Sequence, residues 1–151
     1  VAIPVVVTVP YSLTSLSALV HACKDAGARA VILTADNRRL PVDPKRLERE
    51  GNILFSDSDR QGMQYWLSKL YRSSGVELAA DLVSNGAAAA SAILTGAHAV
   101  AYGDPEGGPQ GLSGALRALE RWIDSHTFSS MFDVRGRLSQ WEQEKIAETR
   151  G

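Results

Sequence analysis

Two stretches of this chain follow one plan. AGARAVILT at 26–34 and TGAHAVAYG at 95–103 each run from a helix end through a Gly-Ala turn and a small residue into an apolar strand. Each copy is preceded by a further strand and a helix of similar size, so the repeated unit is β-α-β. A crossover long enough to hold a helix joins parallel strands. The repeat therefore dictates an α/β fold built on a parallel sheet.

Reading outward from the repeat gives four βα units. Residues 3–9 are β-branched and apolar, which suits a buried strand, and Pro10 ends it. Ser12, Thr14 and Ser15 offer N-caps for the next helix, where Leu16, Leu19, Val20 and Cys23 fall at i, i+3, i+4 and i+7. Gly27 is placed as its left-handed C′ residue. Strands follow at 30–34, 76–83 and 98–102. The stretch 35–58 between the second and third units is long for a βα loop, and such loops commonly carry function. Ser56, Asp57 or Ser58 caps a helix with Met63, Trp66, Leu67, Leu70 and Tyr71 at helical spacing. A glycine-rich loop after Gly103 leads to a helix over 112–125, with Leu116, Leu119, Trp122 and Ile123 on one face. The division expected is a βα domain over 1–138 and a polar helical tail over 139–151.

Composition narrows the partners. The 151 residues carry 16 Lys and Arg against 17 Asp and Glu, interspersed along the chain. No basic stripe with interleaved aromatics calls for a nucleic acid. No apolar run reaches the roughly 20 residues of a membrane span. The lone Cys23 excludes an internal disulfide and fits a reducing, cytoplasmic setting. Val1 already lies in a strand-like run, so a piece of a longer polypeptide is expected.

The candidate chemistry sits at 76–104. Asn85-Gly86 turns one strand into a helix of small residues, and Gly103 closes the next strand. Glycine turns on consecutive strands put backbone N–H groups side by side at one sheet end, a cradle for phosphate. Simple turn chemistry explains the same residues. Asn37-Arg38-Arg39 reads either as an anion contact or as an exposed basic loop. Asp81 stands in an otherwise apolar strand, so it is catalytic or paired, and pairing with an Arg is the expectation. Asp57 and Asp59 read as caps, Cys23 as core, and Trp66, Trp122 and Trp141 as packing or interface anchors. His21 lies on a helix surface, while His98 begins a strand and His126 ends a helix. No His or Cys pair has metal-ligand spacing, so no metal is expected.

Four βα units amount to half of a (βα)8 barrel of about 250 residues, and half a barrel leaves two raw strand edges. The rest is expected from another chain, a lost segment or a self-copy. The order IPVVVTV, AGARAVILTADNRR, LAADLVSNGAAAASAILTGAHAVAYGD and ALRALERWIDSHTFSSMFDVRGRLSQ resembles the C-terminal half of the flavin-dependent dihydroorotate dehydrogenase-like barrels. The resemblance spans residues 3–140. It implies FMN as cofactor, hydride transfer at a CH–CH bond, and phosphate binding by Ser84, Asn85, Gly86 and Gly103. It puts Asn37 at the substrate and Thr8 where the family carries a flavin-contacting lysine. The catalytic base would come from the other half, and no catalytic residue is assigned here.

Three departures stand out. The family's Gly-Gly pair is reduced to Gly86, Thr8 brings no charge, and Asp104 and Glu106 in the loop after Gly103 would repel a phosphate. They motivate the alternative of a flavin-free barrel half kept as a structural or regulatory subunit. A small flavodoxin-like binding domain is the third reading.

Overall fold

A computed structural model of the chain describes residues 3–35, 42–43, 48–49, 57–103 and 107–151. The order is β1 (Val6–Pro10), α1 (Leu16–Asp25), β2 (Ala30–Thr34), β3 (Val42–Asp43), β4 (Glu48–Arg49), α2 (Asp57–Leu70), β5 (Glu77–Val83), α3 (Gly86–Thr95), β6 (Ala99–Tyr102), α4 (Gly108–Asp124), α5 (Met131–Val134) and α6 (Gln140–Arg150). Strands β1-β2-β5-β6 form one sheet, and every pairing is parallel. The α/β architecture expected from the repeat is the one observed. Within the stretch read as a loop, β3 and β4 make a two-residue antiparallel ribbon outside that sheet.

Strand neighbours in space are neighbours in the chain, with no reversal of order. Right-handed crossovers between parallel strands added in this order place every connecting helix on the same side. The burial pattern agrees. Val9, Val31, Leu33, Leu78 and Ala80 join Leu16 and Val20 of α1, Met63, Leu67 and Leu70 of α2, and Ala89 and Ala92 of α3 in one core. Those strand residues share one parity of the sheet register. The alternate residues point the other way, since side chains alternate along a strand. Val6, Thr8, Ala30, Ile32, Glu77 and Ala79 make up that second face, where Val6 is 49% exposed.

Local chemistry explains the ends. Gly27 takes φ +91° at the close of α1, as its sequence position predicted. The segment after α4 is sewn to α3: Gly136 N–H donates to Ile93 O at 2.8 Å and Leu138 N–H to Leu94 O at 2.9 Å. Both are carbonyls of the last turn of α3, where intrahelical donors run out. Gly136 is at φ +68°, and a Cβ there would run into the Tyr71 ring. α5 opens with a capping box between Ser130 and Asp133, and α6 lies against α2. Among the described residues no helix is long and apolar enough to cross a membrane.

Candidate phosphate-binding end and the His98 corner

β5 and β6 both end at the side of the sheet where the cradle was expected, and a bulge shapes that end. β5 pairs with β6 as Ala80↔Val100 and then Val83↔Tyr102, so β5 holds one residue more over the interval. Such an insertion bends a strand and re-aims its side chains, and bulges recur beside functional sites. Here it falls at Asp81. That carboxylate is half-buried and accepts a hydrogen bond from Thr34 Oγ1 at 2.8 Å. The side chain also borders a cavity of about 30 Å³ with Arg60, Gln64 and Ser84. A space that small holds a water and no larger ligand.

Asn85 is the N-cap of α3, with an extended backbone and Oδ1 accepting from Ala88 N–H at 2.9 Å. Gly86 is buried against α4. A Cβ added there would sit 2.6 Å from Ala118 Cβ, 2.8 Å from Leu119 N and 2.9 Å from Ala115 O. It therefore has a packing reason to be glycine, independent of any ligand. Gly103 N–H donates to Val83 O at 3.1 Å. Ser84 is half-buried beside the start of α3. Thr8 is exposed on the sheet face away from the helices, in register with Ile32. Asn37, with Arg38, Arg39, Asp104 and Glu106, lies outside the described residues.

The structure thus brings Ser84, Asn85 and Gly86 together at one helix start, with Gly103 across from them on the neighbouring strand. A phosphate would find the first-turn N–H groups of Gly86 and Ala87, which an α-helix leaves without internal acceptors. The Ser84 hydroxyl is a further donor. Ala88 and Gly103 N–H already have acceptors within the chain. The α3 side of the loop keeps donors for an anion, and the Gly103 N–H on the other side is already bonded. Among the described residues no three His, Cys, Asp or Glu side chains gather as metal ligands do.

Other candidates fall into structural places. Asp59 Oδ1 accepts the Tyr11 hydroxyl at 2.6 Å, tying α2 to the turn after β1. Cys23 and Trp66 are partly buried against the core. Trp122 packs with His126 and Phe128, ring centroids 4.7 and 5.9 Å away.

His98 is more than a strand start. Its backbone N–H donates to Leu78 O at 2.7 Å, and its Nδ1 accepts Leu78 N–H at 3.1 Å. The side chain thereby extends the β5–β6 ladder by one bond. Burial, followed by the positive charge of Arg135, lowers the imidazole pKa below the usual 6.5, with Glu77 opposing. A lowered folded-state value means the unfolded chain binds the extra proton first as pH falls. Stability from this group is complete above 6.5 and is lost as pH falls through the window below it. The stability gap between wild type and His98→Gln, read from urea melts, is expected to shrink from about pH 7.5 to about pH 5. An unchanged gap would remove His98 as a titrating group in folding.

Scanned against protein-family models the chain matches none, and no curated protein matches it in sequence.

Proposed function

We propose that this chain is the C-terminal half of a flavin-dependent (βα)8 barrel of the dihydroorotate dehydrogenase-like kind, completed by four more βα units. One observation carries the architectural part. Four parallel strands lie in chain order, with the packed helices on one face and the other face without a helix among the described residues. Doubly wound sheets reverse strand order at a switch point and carry helices on both faces. Barrels never reverse, and their inner face is closed by their own remaining strands. Parallel sheets are almost always covered on both sides, so this face needs a cover.

The resemblance supplies the cofactor, and the start of α3 supports it. Ser84 Oγ and the N–H groups of Gly86 and Ala87 would hold the FMN phosphate, aided by the positive end of the helix dipole. FMN, when bound, supplies hydride transfer at a CH–CH bond of a small substrate. What this half contributes is binding and orientation.

A second reading is favoured by a specific observation. Gly103 N–H is already bonded to Val83 O, and the resemblance puts the neutral Thr8 where the family has its lysine. On that reading the chain is a flavin-free barrel half with a structural or regulatory task. Titrating FMN into the purified full chain, followed by quenching of flavin fluorescence and by visible absorbance, separates the two. Saturable quenching that is lost in Ser84→Asp, where a carboxylate would repel the phosphate, supports the flavin reading. Colourless protein without quenching overturns it in favour of the second.

A further inference from the structure

At the opposite end of the strands from the phosphate loop lies a cavity of about 360 Å³. That is within the range of small-molecule sites, roughly 300–1,000 Å³. Its wall includes Tyr71, Arg72, Glu77, His98, Phe132 and Arg135. It is formed by the α2–β5 turn, the start of β6 and the α5 segment, and it owes nothing to the reading of the other end.

Three independent features mark it. Arg135 Nε is buried without a hydrogen-bond partner. A buried donor left without an acceptor is costly, and it marks Arg135 as a cation not fully engaged by the protein itself. Arg72 has φ +62°, alone in this among the described non-glycine residues. Backbone of that kind is uncommon outside glycine, Asn and Asp, and it concentrates at ligand clamps. Here it carries the Arg72 guanidinium over the Tyr71 ring at 5.3 Å. Phe132 is 85% exposed, yet its ring stands 5.8 Å from the Arg135 guanidinium.

Charge favours an anion. Two guanidinium groups border the cavity, while Glu77 is engaged by Arg29 Nη2 at 3.3 Å. Burial first, and the Arg135 charge after it, lower the basicity of His98 on the same wall. Planar rings border the cavity in Tyr71 and Phe132. A carboxylate matches the guanidinium fork, which binds it through two parallel N–H···O bonds.

We propose that this cavity is a binding site for a small aromatic carboxylate, its carboxylate on Arg135 and its ring beside Phe132. The test uses benzoate with the full chain, read by amide chemical shifts and by calorimetry. Saturable binding with shifts concentrated at Leu78, His98, Phe132 and Arg135 is expected. Arg135→Gln, which keeps the length and loses the charge, should weaken it roughly tenfold or more. Cyclohexanecarboxylate should bind less tightly than benzoate because it has no π-face for the guanidinium. Tyr71 bonds to the main-chain oxygen of Arg135, so the variant retains that anchor, and an unchanged far-ultraviolet spectrum verifies its fold. No saturable shift in the wild-type chain would overturn the proposal. Equal affinity in Arg135→Gln, or inorganic phosphate binding more tightly than benzoate, would do so too.

Discussion

Gly86→Ala should destabilise the chain by about 3 kcal/mol, at the upper end of what overpacking costs. The methyl group would meet Leu119 N and Ala115 O at under 3 Å, as well as Ala118 Cβ. Two of those three atoms are α4 backbone, and no rotamer change moves them aside. α4 would have to shift as a body away from α3. For a chain of this length that corresponds to a fall in Tm of roughly 6–12 °C. Gly114→Ala is the built-in control. Gly114 lies inside α4 with open space where a Cβ would go. Alanine there improves helix propensity by about 1 kcal/mol, so its Tm should rise. Thermal melts of the two variants should move in opposite directions. Equal shifts would mean that the α3–α4 contact does not limit stability.

That glycine also shows what the sequence could and could not convey. Its place after a strand and at a helix start was legible from Asn85-Gly86 and the small residues that follow. The reason only glycine fits comes from Ala115 and Ala118, some thirty residues on, which no local pattern links to it. The strands were legible because apolar β-branched runs bounded by Gly and Pro leave few alternatives. β2 has the expected bounds, and β1 begins at Val6 where the run beginning at residue 3 was read as strand. α4 begins at Gly108, inside the stretch read as a loop, because Pro109 suits the first turn of a helix.

The bulge in β5 had no sequence signal: it falls at Asp81 and Leu82, with no glycine to mark it. For Asp81 an Arg partner was expected; Thr34 donates a hydrogen bond to it, and Arg60 borders the same small cavity. The α4 stripe was read correctly as apolar, yet Leu112 and Leu116 remain exposed, the latter at 52%. Periodicity identifies a face that wants burial. It does not say whether the covering element belongs to the same chain.

The bare sheet face turns that last point into a measurement. Ile32 projects from the centre of it, in register with Thr8 on one side and Ala79 on the other. In an isolated half-sheet Ile32 is half-buried in a central strand, and Ile32→Asp should cost about 1 kcal/mol, mainly through lost strand propensity. In a closed barrel the same carboxylate would be buried among apolar side chains with no partner. Burying a charge that way costs several kcal/mol, enough to prevent assembly. Where a second copy of the chain supplies the other half, the wild type is expected to sediment as an assembly of more than one chain. Ile32→Asp should sediment as a monomer with an unchanged far-ultraviolet spectrum. Leu33→Ala gives the contrasting signature. Leu33 is fully buried on the helix side, so its truncation should cost about 2–5 kcal/mol in any assembly state. A monomeric wild-type chain that Ile32→Asp leaves unaltered would exclude a second copy of this chain as the cover of that face. Loss of assembly without loss of fold would show that this face of the sheet, and not its helices, is covered in the assembly.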